Sequence, residues 1–140
     1  MKKAIVVGAT SGIGKSLARL LVENGFQVGI TGRRTQLLQE IKAKNPDNYF
    51  IKAFDVSQTN EITTNLDELV SELGGLDLLI ISSGTGDINK ELDFNIEKRT
   101  IETNVATFSC FHSLVFNPSF TASCLFKSIS TPEPCINEAS

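Results

Sequence analysis

Short apolar runs alternate with longer amphipathic stretches along the chain up to about residue 108. The apolar runs are rich in β-branched side chains and are bounded by glycine or polar residues, which is typical of buried β-strands. Four strands are therefore predicted: KKAIVVG ending at Gly8, FQVGIT at 26–31, YFIKAF at 49–54 and LDLLIIS at 76–82. The fourth run is almost wholly apolar, as expected of a central strand in a parallel sheet.

Each stretch that follows a strand places apolar residues three and four positions apart, the spacing of a helix that packs one face against a sheet. These positions are, helix by helix, Ile13, Leu17, Leu20 and Leu21; Leu38 and Ile41; Ile62, Leu66, Leu69, Val70 and Leu73; and Ile101, Val105 and Phe108. Asn24-Gly25 and Gly74-Gly75 supply helix stops, and the second helix, at 35–44, ends before Pro46. Four strand–helix alternations with short connections predict an α/β fold, a doubly wound parallel sheet of about four βα units over residues 1–108.

The composition changes after residue 108. All ten glycines occur by Gly86, whereas three of the four prolines occur from Pro118 onward. Residues 109–140 contain seven Ser, four Phe and three Cys but only three charged side chains, without sustained periodicity. We interpret 109–140 as an irregular, atypical tail with a disordered end, which does not continue the domain, as a shifted reading frame or aberrant splice would produce. The alternative is a small lid or a dimer surface.

Bulk composition narrows the class of protein. With 41% hydrophobic and 21% charged residues, the chain has the composition of a soluble globular domain, and its net charge of −3 argues against nucleic acid as a partner. The apolar run Ala4–Val7 is much shorter than a signal-peptide core, and no stretch approaches the roughly 20 apolar residues that span a bilayer. A cytoplasmic location without membrane contact is expected. The cysteines lack metal-ligand spacing, so no metal site is expected.

The nine residues GATSGIGKS, at 8–16, fit two kinds of phosphate-binding loop. From Gly8 they form a Gly-x-x-x-Gly-x-Gly turn of the kind that holds a dinucleotide. From Ala9 they differ by one methyl group from the Gly-x-x-x-x-Gly-Lys-Ser of an NTP-binding P-loop, with Lys15 and Ser16 as phosphate and Mg²⁺ ligands. Both loops need a strand, a tight turn and a helix start whose free N–H groups face an anion. The pattern therefore predicts phosphate binding.

The elements that follow favour the dinucleotide. A P-loop also needs an Asp that holds Mg²⁺ at the end of a nearby strand, but LDLLIIS ends in serine and Asp55 is the only substitute. The second strand ends in TGRR, where a cation would bind the 2′-phosphate of NADP(H) and an acid would bind the ribose of NAD(H). No acid occurs between Phe26 and Gln39, whereas Arg33 and Arg34 supply forked donors. We predict NADP(H) in preference to NAD(H) or ATP.

Together these motifs resemble the cofactor-binding half of the short-chain dehydrogenase/reductase family over residues 3–108. GATSGIG matches the family's cofactor loop, with Val7 in place of the usual Thr, and ISSG at 81–84 stands in place of the family's Asn-Asn-Ala-Gly. The resemblance implies a Rossmann-type fold and places Asn104, in ETNVATF, on the family's catalytic Asn. It implies cofactor contacts at Gly8, Thr10, Ser11, Gly12, Ile13, Gly14, Arg33, Arg34, Asp55, Val56, Ser83 and Gly84.

Members of this family reduce a carbonyl or oxidise an alcohol. The sequence does not identify the carbonyl or alcohol that this chain would use. The family's proton donor is a Tyr followed four residues later by a Lys, with a Ser upstream, and the phenol protonates the alkoxide that hydride transfer creates. This sequence has one tyrosine, Tyr49, in a predicted strand, with Lys52 only three residues on. We therefore expect a truncated chain that retains the cofactor half without the catalytic pair. The alternatives are a P-loop-like nucleotide-binding protein and a non-enzymatic truncated product that associates with a full-length relative or aggregates.

Overall fold

The computed structural model describes residues 1–84 together with positions 94, 95, 98, 100, 101, 104, 105 and 109. Its elements are β1 (Lys3–Val7), α1 (Gly12–Glu23), β2 (Gln27–Gly32), α2 (Thr35–Lys44), β3 (Tyr49–Ala53), α3 (Thr59–Leu73) and β4 (Leu78–Ile81). The described positions beyond residue 84 are helical, in agreement with the fourth helix predicted at Ile101 and Val105. Phe108 and nearly all of the predicted tail, with the three cysteines, lie outside the described residues.

The four strands form one parallel sheet in the order β3-β2-β1-β4. Within it β1 is central, and Val6 pairs with Ile30 of β2 on one side and with Ile80 of β4 on the other. The chain therefore builds the sheet outward from β1 in one direction and then crosses back to add β4 on the opposite side. This order confirms the predicted Rossmann-type α/β fold and creates a crevice at the carboxyl end of β1, where such sheets bind their ligands.

Helices cover both faces of the sheet, so successive residues of β1 enter different cores. Ile5 and Val7 pack with α3, whereas Val6 packs with α1 and α2. The α3 core contains Ile62, Leu66, Leu69 and Leu73, together with Phe54, Leu76, Leu79 and Ile81. The opposite core contains Ala9, Ala18, Leu38 and Ile41, together with Val28, Ile30 and Tyr49. Ala4–Val7 are completely buried, so β1 forms the centre of both cores, and the site lies at its carboxyl end.

The observed helix bounds agree closely with the predicted ones where a glycine or a proline ends the helix. Helix α2 begins and ends at the predicted residues, and α3 ends at Gly74 in the left-handed conformation, with φ of 73°. The fourth strand is shorter than predicted, because only Leu78–Ile81 pair with β1. Leu76 still packs in the α3 core from the turn before β4, with 8% of its surface exposed. The apolar run at 76–82 therefore indicates buried positions, and only part of it forms a strand.

The amino edge of the sheet is fixed by Lys3. Its backbone N–H donates to the Asp77 carboxylate at 2.8 Å, and its Nζ donates to the Gly74 carbonyl oxygen at 2.7 Å. These bonds connect the start of β1 to the end of α3 and to the turn before β4. Among the helices of the described part of the chain, none has the length and apolar character needed to cross a membrane.

Candidate cofactor site

The candidate site lies at the carboxyl edge of the sheet, where β1 ends. Gly8 follows β1 with φ of 84°, a left-handed conformation that glycine adopts without strain. The turn directs the N–H groups of Gly8 and Ala9 to the Thr31 carbonyl oxygen in β2, at 3.1 and 3.0 Å. The loop 8–11 is thus hydrogen-bonded to the end of β2 before α1 begins at Gly12.

The three loop glycines have different roles. A Cβ on Gly14 would overlap the Gly8 carbonyl oxygen, and a Cβ on Gly8 would lie 2.8 Å from the Ser83 backbone nitrogen. These two glycines therefore allow β1, α1 and the end of β4 to approach one another closely. Gly12 has φ of 56°, and a Cβ there would meet no atom within 4 Å. Gly12 faces open space, so its environment has room for a ligand.

The start of α1 fits an anion. The N-cap residue Ser11 has extended backbone and makes no side-chain capping bond, and the first turn of α1 contains no acidic residue. The first N–H groups of a helix have no intrahelical partners and carry the positive end of the helix dipole. Together with the open space at Gly12, they suit a phosphate of a dinucleotide. Ile13 lies in the same turn and is 53% exposed.

Charged groups lie at the ends of the two strands on one side of the loop. Arg33 and Arg34 follow β2 directly and are exposed. Asp55 follows β3, and the Ser57 backbone N–H donates to its Oδ1 at 2.9 Å. That bond lowers the pKa of Asp55; the Ser57 hydroxyl and the Arg33 charge add to the lowering, and burial opposes it. Arg33 and Asp55 thus follow neighbouring strands, β2 and β3, and Val56 packs against the α3 core.

The end of β4 borders the loop on its other side. Ser83 lies against Gly8, and its Oγ is buried without a hydrogen-bond partner within the described structure. Asn104 approaches the same point, because its Oδ1 lies 3.5 Å from the position of a Cβ on Gly84. The predicted cofactor residue Gly84 and the predicted catalytic residue Asn104 are thus brought together by the fold, although 20 positions separate them in the sequence.

Thr31 is a site residue that the sequence analysis missed. It is fully buried, and its carbonyl oxygen accepts both loop N–H groups. Across the residues that the structure describes, the buried side-chain oxygens without a partner are Thr31 Oγ1 and Ser83 Oγ. Buried polar groups are normally hydrogen-bonded, so each of these two hydroxyls has capacity for a further partner such as ordered water. The available signal was a polar residue ending an apolar strand.

The residues required by the competing hypotheses are Lys15 and Ser16 for a P-loop and Tyr49 for a catalytic phenol. Lys15 and Ser16 are exposed on the first turn of α1, and the Ser16 hydroxyl donates to the Gly12 carbonyl oxygen at 3.3 Å. Tyr49 is the first residue of β3, which places it at the amino edge of the sheet. Burial raises the pKa of Tyr49; the Glu23 carboxylate adds to this and Arg19 opposes it. Within 1–84 and the described helical positions, no cluster of His, Cys, Asp and Glu could hold a metal ion.

Known proteins match this chain in sequence. The family model for short chain dehydrogenases matches residues 2–117. The 3-oxoacyl-[acyl-carrier-protein] reductase of Staphylococcus epidermidis is 31% identical over 124 residues, which cover 81% of this chain and 49% of that protein. The chain spans about a third to a half of the length of the curated relatives it matches. The dinucleotide interpretation of the glycine loop is thus supported over the P-loop interpretation.

Solved structures match the fold. An actinorhodin polyketide ketoreductase with NADPH superposes with a TM-score of 0.72 and 26% identity, covering 82% of this chain and 46% of that one. The 3-ketoacyl-(acyl-carrier-protein) reductase of Brucella melitensis, complexed with NADH, gives 0.72 with 23% identity and covers 82% and 48%. These neighbours hold nicotinamide dinucleotides of both kinds. This chain belongs to the short-chain dehydrogenase/reductase family of oxidoreductases, which bind a nicotinamide dinucleotide.

Proposed function

We propose that this chain binds NADP(H), in preference to NAD(H), at the carboxyl edge of the sheet. The observation that carries the proposal is the pair of exposed arginines after β2, in a loop that contains no acid. Arg33 follows β2, whose Thr31 carbonyl oxygen accepts the loop N–H groups, so this arginine lies at the same edge of the sheet as the start of α1. A guanidinium there would pair with the 2′-phosphate that distinguishes NADP(H) from NAD(H).

The other predicted residues would contact different parts of the cofactor from the ends of three strands. The start of α1 would hold the pyrophosphate, with Thr10, Ser11 and Ile13 around it. Asp55 and Val56 would lie beside the adenine, and Ser83 and Gly84 would form the opposite wall at the end of β4. The Ser57 N–H donates to Asp55 Oδ1, so Asp55 Oδ2 would be the carboxylate oxygen that accepts a hydrogen bond from the cofactor.

The test is a fluorescence titration of the 140-residue chain with NADPH and with NADH. Arg33→Ala should weaken NADPH binding by about tenfold or more, the order expected for lost hydrogen bonds to a charged group, and should change NADH binding little. The matched control is Arg19→Ala, which removes an exposed arginine that pairs with Glu23 on α1. Equal affinity of the unchanged chain for both dinucleotides, or binding of neither, would contradict the proposal.

We further propose that the chain belongs to an oxidoreductase acting on a carbonyl/alcohol pair, with Asn104 at the reaction end of the site. Bound NADP(H) would supply or accept the hydride, and residues 1–140 would bind and orient the dinucleotide. The only tyrosine, Tyr49, lies at the opposite edge of the sheet, so these residues provide no phenol beside the nicotinamide. The expected activity of this chain alone is cofactor binding without carbonyl reduction at the rate of its relatives.

A 3-oxoacyl thioester is the first substrate to try, because the Staphylococcus epidermidis relative is named for that carbonyl. Carbonyl-dependent NADPH oxidation by the purified chain would be followed at 340 nm, in parallel with Asn104→Ala and Tyr49→Phe. Oxidation that survives Asn104→Ala but disappears in Tyr49→Phe would overturn both assignments. Oxidation absent from all three proteins, with NADPH still bound, is the expected result.

A further inference from the structure

The pairing of β1 with β4 contains no polar residue that would specify its register. Ala4–Val7 pair in order with Leu78–Ile81, and every side chain in the pairing is apolar. Leu79 and Ile81 pack in the α3 core, while Ile80 packs against the opposite core. A strand that slips by one residue moves by about 3.3 Å and turns its side chains to the opposite faces. Because apolar side chains would again enter both cores, hydrophobic burial distinguishes the two registers poorly.

Polar bonds occur at the amino end of this pairing, between Lys3 and Asp77. The Asp77 N–H donates to the Lys3 carbonyl oxygen at 2.8 Å, and the Lys3 N–H donates to Asp77 Oδ2 at 2.8 Å. The two residues therefore exchange a pair of hydrogen bonds, one of them through a side chain. This exchange fits one register only, because a slip of β4 would place a different residue opposite Lys3 and turn the carboxylate to the other face.

The other end of β4 lies against the glycine loop. The Ser82 N–H donates to the Val7 carbonyl oxygen at 2.8 Å, and a Cβ on Gly8 would lie 2.8 Å from the Ser83 nitrogen. A slip of about 3.3 Å would break this packing and displace Gly84 relative to the loop. The register of a strand of four residues thus decides where one wall of the candidate cofactor site lies.

We propose that Asp77 is a positioning residue for the cofactor site, because its bonds to Lys3 select the register of β4. It acts from the amino edge of the sheet on the carboxyl edge, through the apolar strand that joins them. Chains in a slipped register would not present the β4 wall to a dinucleotide, and the apparent affinity falls with the fraction of chains that is competent to bind. The inference rests on dinucleotide binding at this site, and it holds whichever dinucleotide is preferred.

The test compares three variants of the 140-residue chain, Asp77→Ala, Asp77→Asn and Lys3→Met. Asp77→Ala removes the acceptor, so NADPH and NADH should both bind about tenfold more weakly, the effect of one lost hydrogen bond to a charged group, and their affinity ratio should stay within about twofold. Asp77→Asn keeps a side-chain oxygen that can accept the Lys3 N–H, so it should recover most of the affinity.

Lys3→Met is the matched control for a general loss of stability. It removes the bond from Lys3 Nζ to the Gly74 carbonyl oxygen and keeps both backbone groups that bond to Asp77. It should therefore lower the urea midpoint and leave the affinity for both dinucleotides unchanged. A Lys3→Met chain that binds as weakly as Asp77→Ala would show that stability, and not register, determines the affinity, and the inference would fail.

Hydrogen exchange follows the register without a ligand. The Ser82 amide, which is bonded to Val7, should exchange slowly in the original chain and in Lys3→Met, and faster in Asp77→Ala. If neither dinucleotide binds to the original chain, the proposed cofactor binding fails, and this exchange still tests the register.

Three results would overturn the role of Asp77. One is an Asp77→Ala chain with the original affinities and unchanged exchange at Ser82. Another is an Asp77→Asn chain no better than Asp77→Ala, because the side-chain oxygen would then not be the cause. The third is loss of folding in Asp77→Ala, since Asp77 would then hold the fold together and would not select between two registers.

Discussion

Helices α1 and α3 cover opposite faces of one sheet but contact it through different side chains. Helix α3 buries four large residues, Ile62, Leu66, Leu69 and Leu73. Helix α1 buries only Gly14 and Ala18, and leaves Ile13 and Leu20 53% and 47% exposed. Large buried side chains hold a helix at a distance, whereas glycine and alanine let its backbone approach. Helix α3 thus stabilises the fold, and α1 brings its first turn to the loop.

The close contacts that the two helices make also differ in kind. On the α3 side, Gly29 of β2 leaves a gap, because a Cβ there would lie 2.9 Å from Leu69 Cδ2 and 3.1 Å from Ile5 Cγ1. Leu69 fills that gap completely and has no exposed surface. On the α1 side, the close contact joins two backbones, at Gly14 and Gly8. A glycine in the strand therefore serves packing, and a glycine in the helix serves the geometry of the site.

The largest expected effect on stability is at Leu69. Leu69→Ala should lower the free energy of unfolding by about 2–5 kcal/mol, toward the upper end because Gly29 offers no side chain that could relax into the cavity. The matched variant Leu20→Ala, on the exposed face of α1, should change it by less than about 0.5 kcal/mol. Urea unfolding followed by circular dichroism measures both. Similar losses in the two variants would show that α1 and α3 contribute equally.

The next effect tests the close approach of α1. Replacing a helical glycine by alanine ordinarily stabilises a helix by about 1 kcal/mol. Gly14→Ala should instead destabilise this protein by about 1–3 kcal/mol, because its Cβ would overlap the Gly8 carbonyl oxygen. Dinucleotide affinity should fall with it, since the loop would have to move.

Ser16→Ala is the control for that substitution, because Ser16 lies two residues after Gly14 on α1 and is exposed. It should leave the free energy of unfolding within about 0.5 kcal/mol of the original value and should leave the affinity for NADPH unchanged. If Gly14→Ala were stabilising, the helix backbone would not be in contact with the loop, and the contrast between α1 and α3 would be wrong.

The smallest expected effect is on the pH dependence of the free energy of unfolding, through Tyr49 at the amino edge of the sheet. Burial raises the pKa of Tyr49, so its neutral form stabilises the fold below the ordinary tyrosine pKa of about 10, and this contribution is lost as the pH rises through the higher pKa of the folded state. The free energy of unfolding should therefore fall more steeply above pH 10 in the original chain than in Tyr49→Phe. Urea midpoints at pH 7, 9 and 10.5 measure the difference. If the urea midpoints of the two proteins differ by the same amount at all three pH values, burial does not raise the pKa of Tyr49. Tyr49→Phe should leave the affinity for NADPH unchanged.

Most of the architecture could be predicted from local patterns because each pattern reports one local requirement. The stops at Gly25 and Gly74 reflect backbone conformations that glycine adopts readily, and both have positive φ in the structure. The apolar stripe of α3 is buried as its spacing predicts. In α1 the stripe is wrong in part, because Ile13 and Leu20 remain exposed and Gly14 and Ala18 are buried, whereas Leu21 packs against the core as predicted. Periodicity identifies a helix, but the depth of its packing depends on the surface opposite.

The sequence alone determined the succession of strands and helices, the glycine-rich turn and the arginine pair, because each depends on residues that are close together in the chain. The tertiary structure decided which groups meet. The Thr31 carbonyl oxygen accepts the loop N–H groups, Thr10 lies against Gly32, and Asn104 approaches Gly84. These contacts join segments brought together only when parallel strands align their carboxyl ends at one edge. Residue types specify which groups are available, and the register of the sheet decides which of them meet.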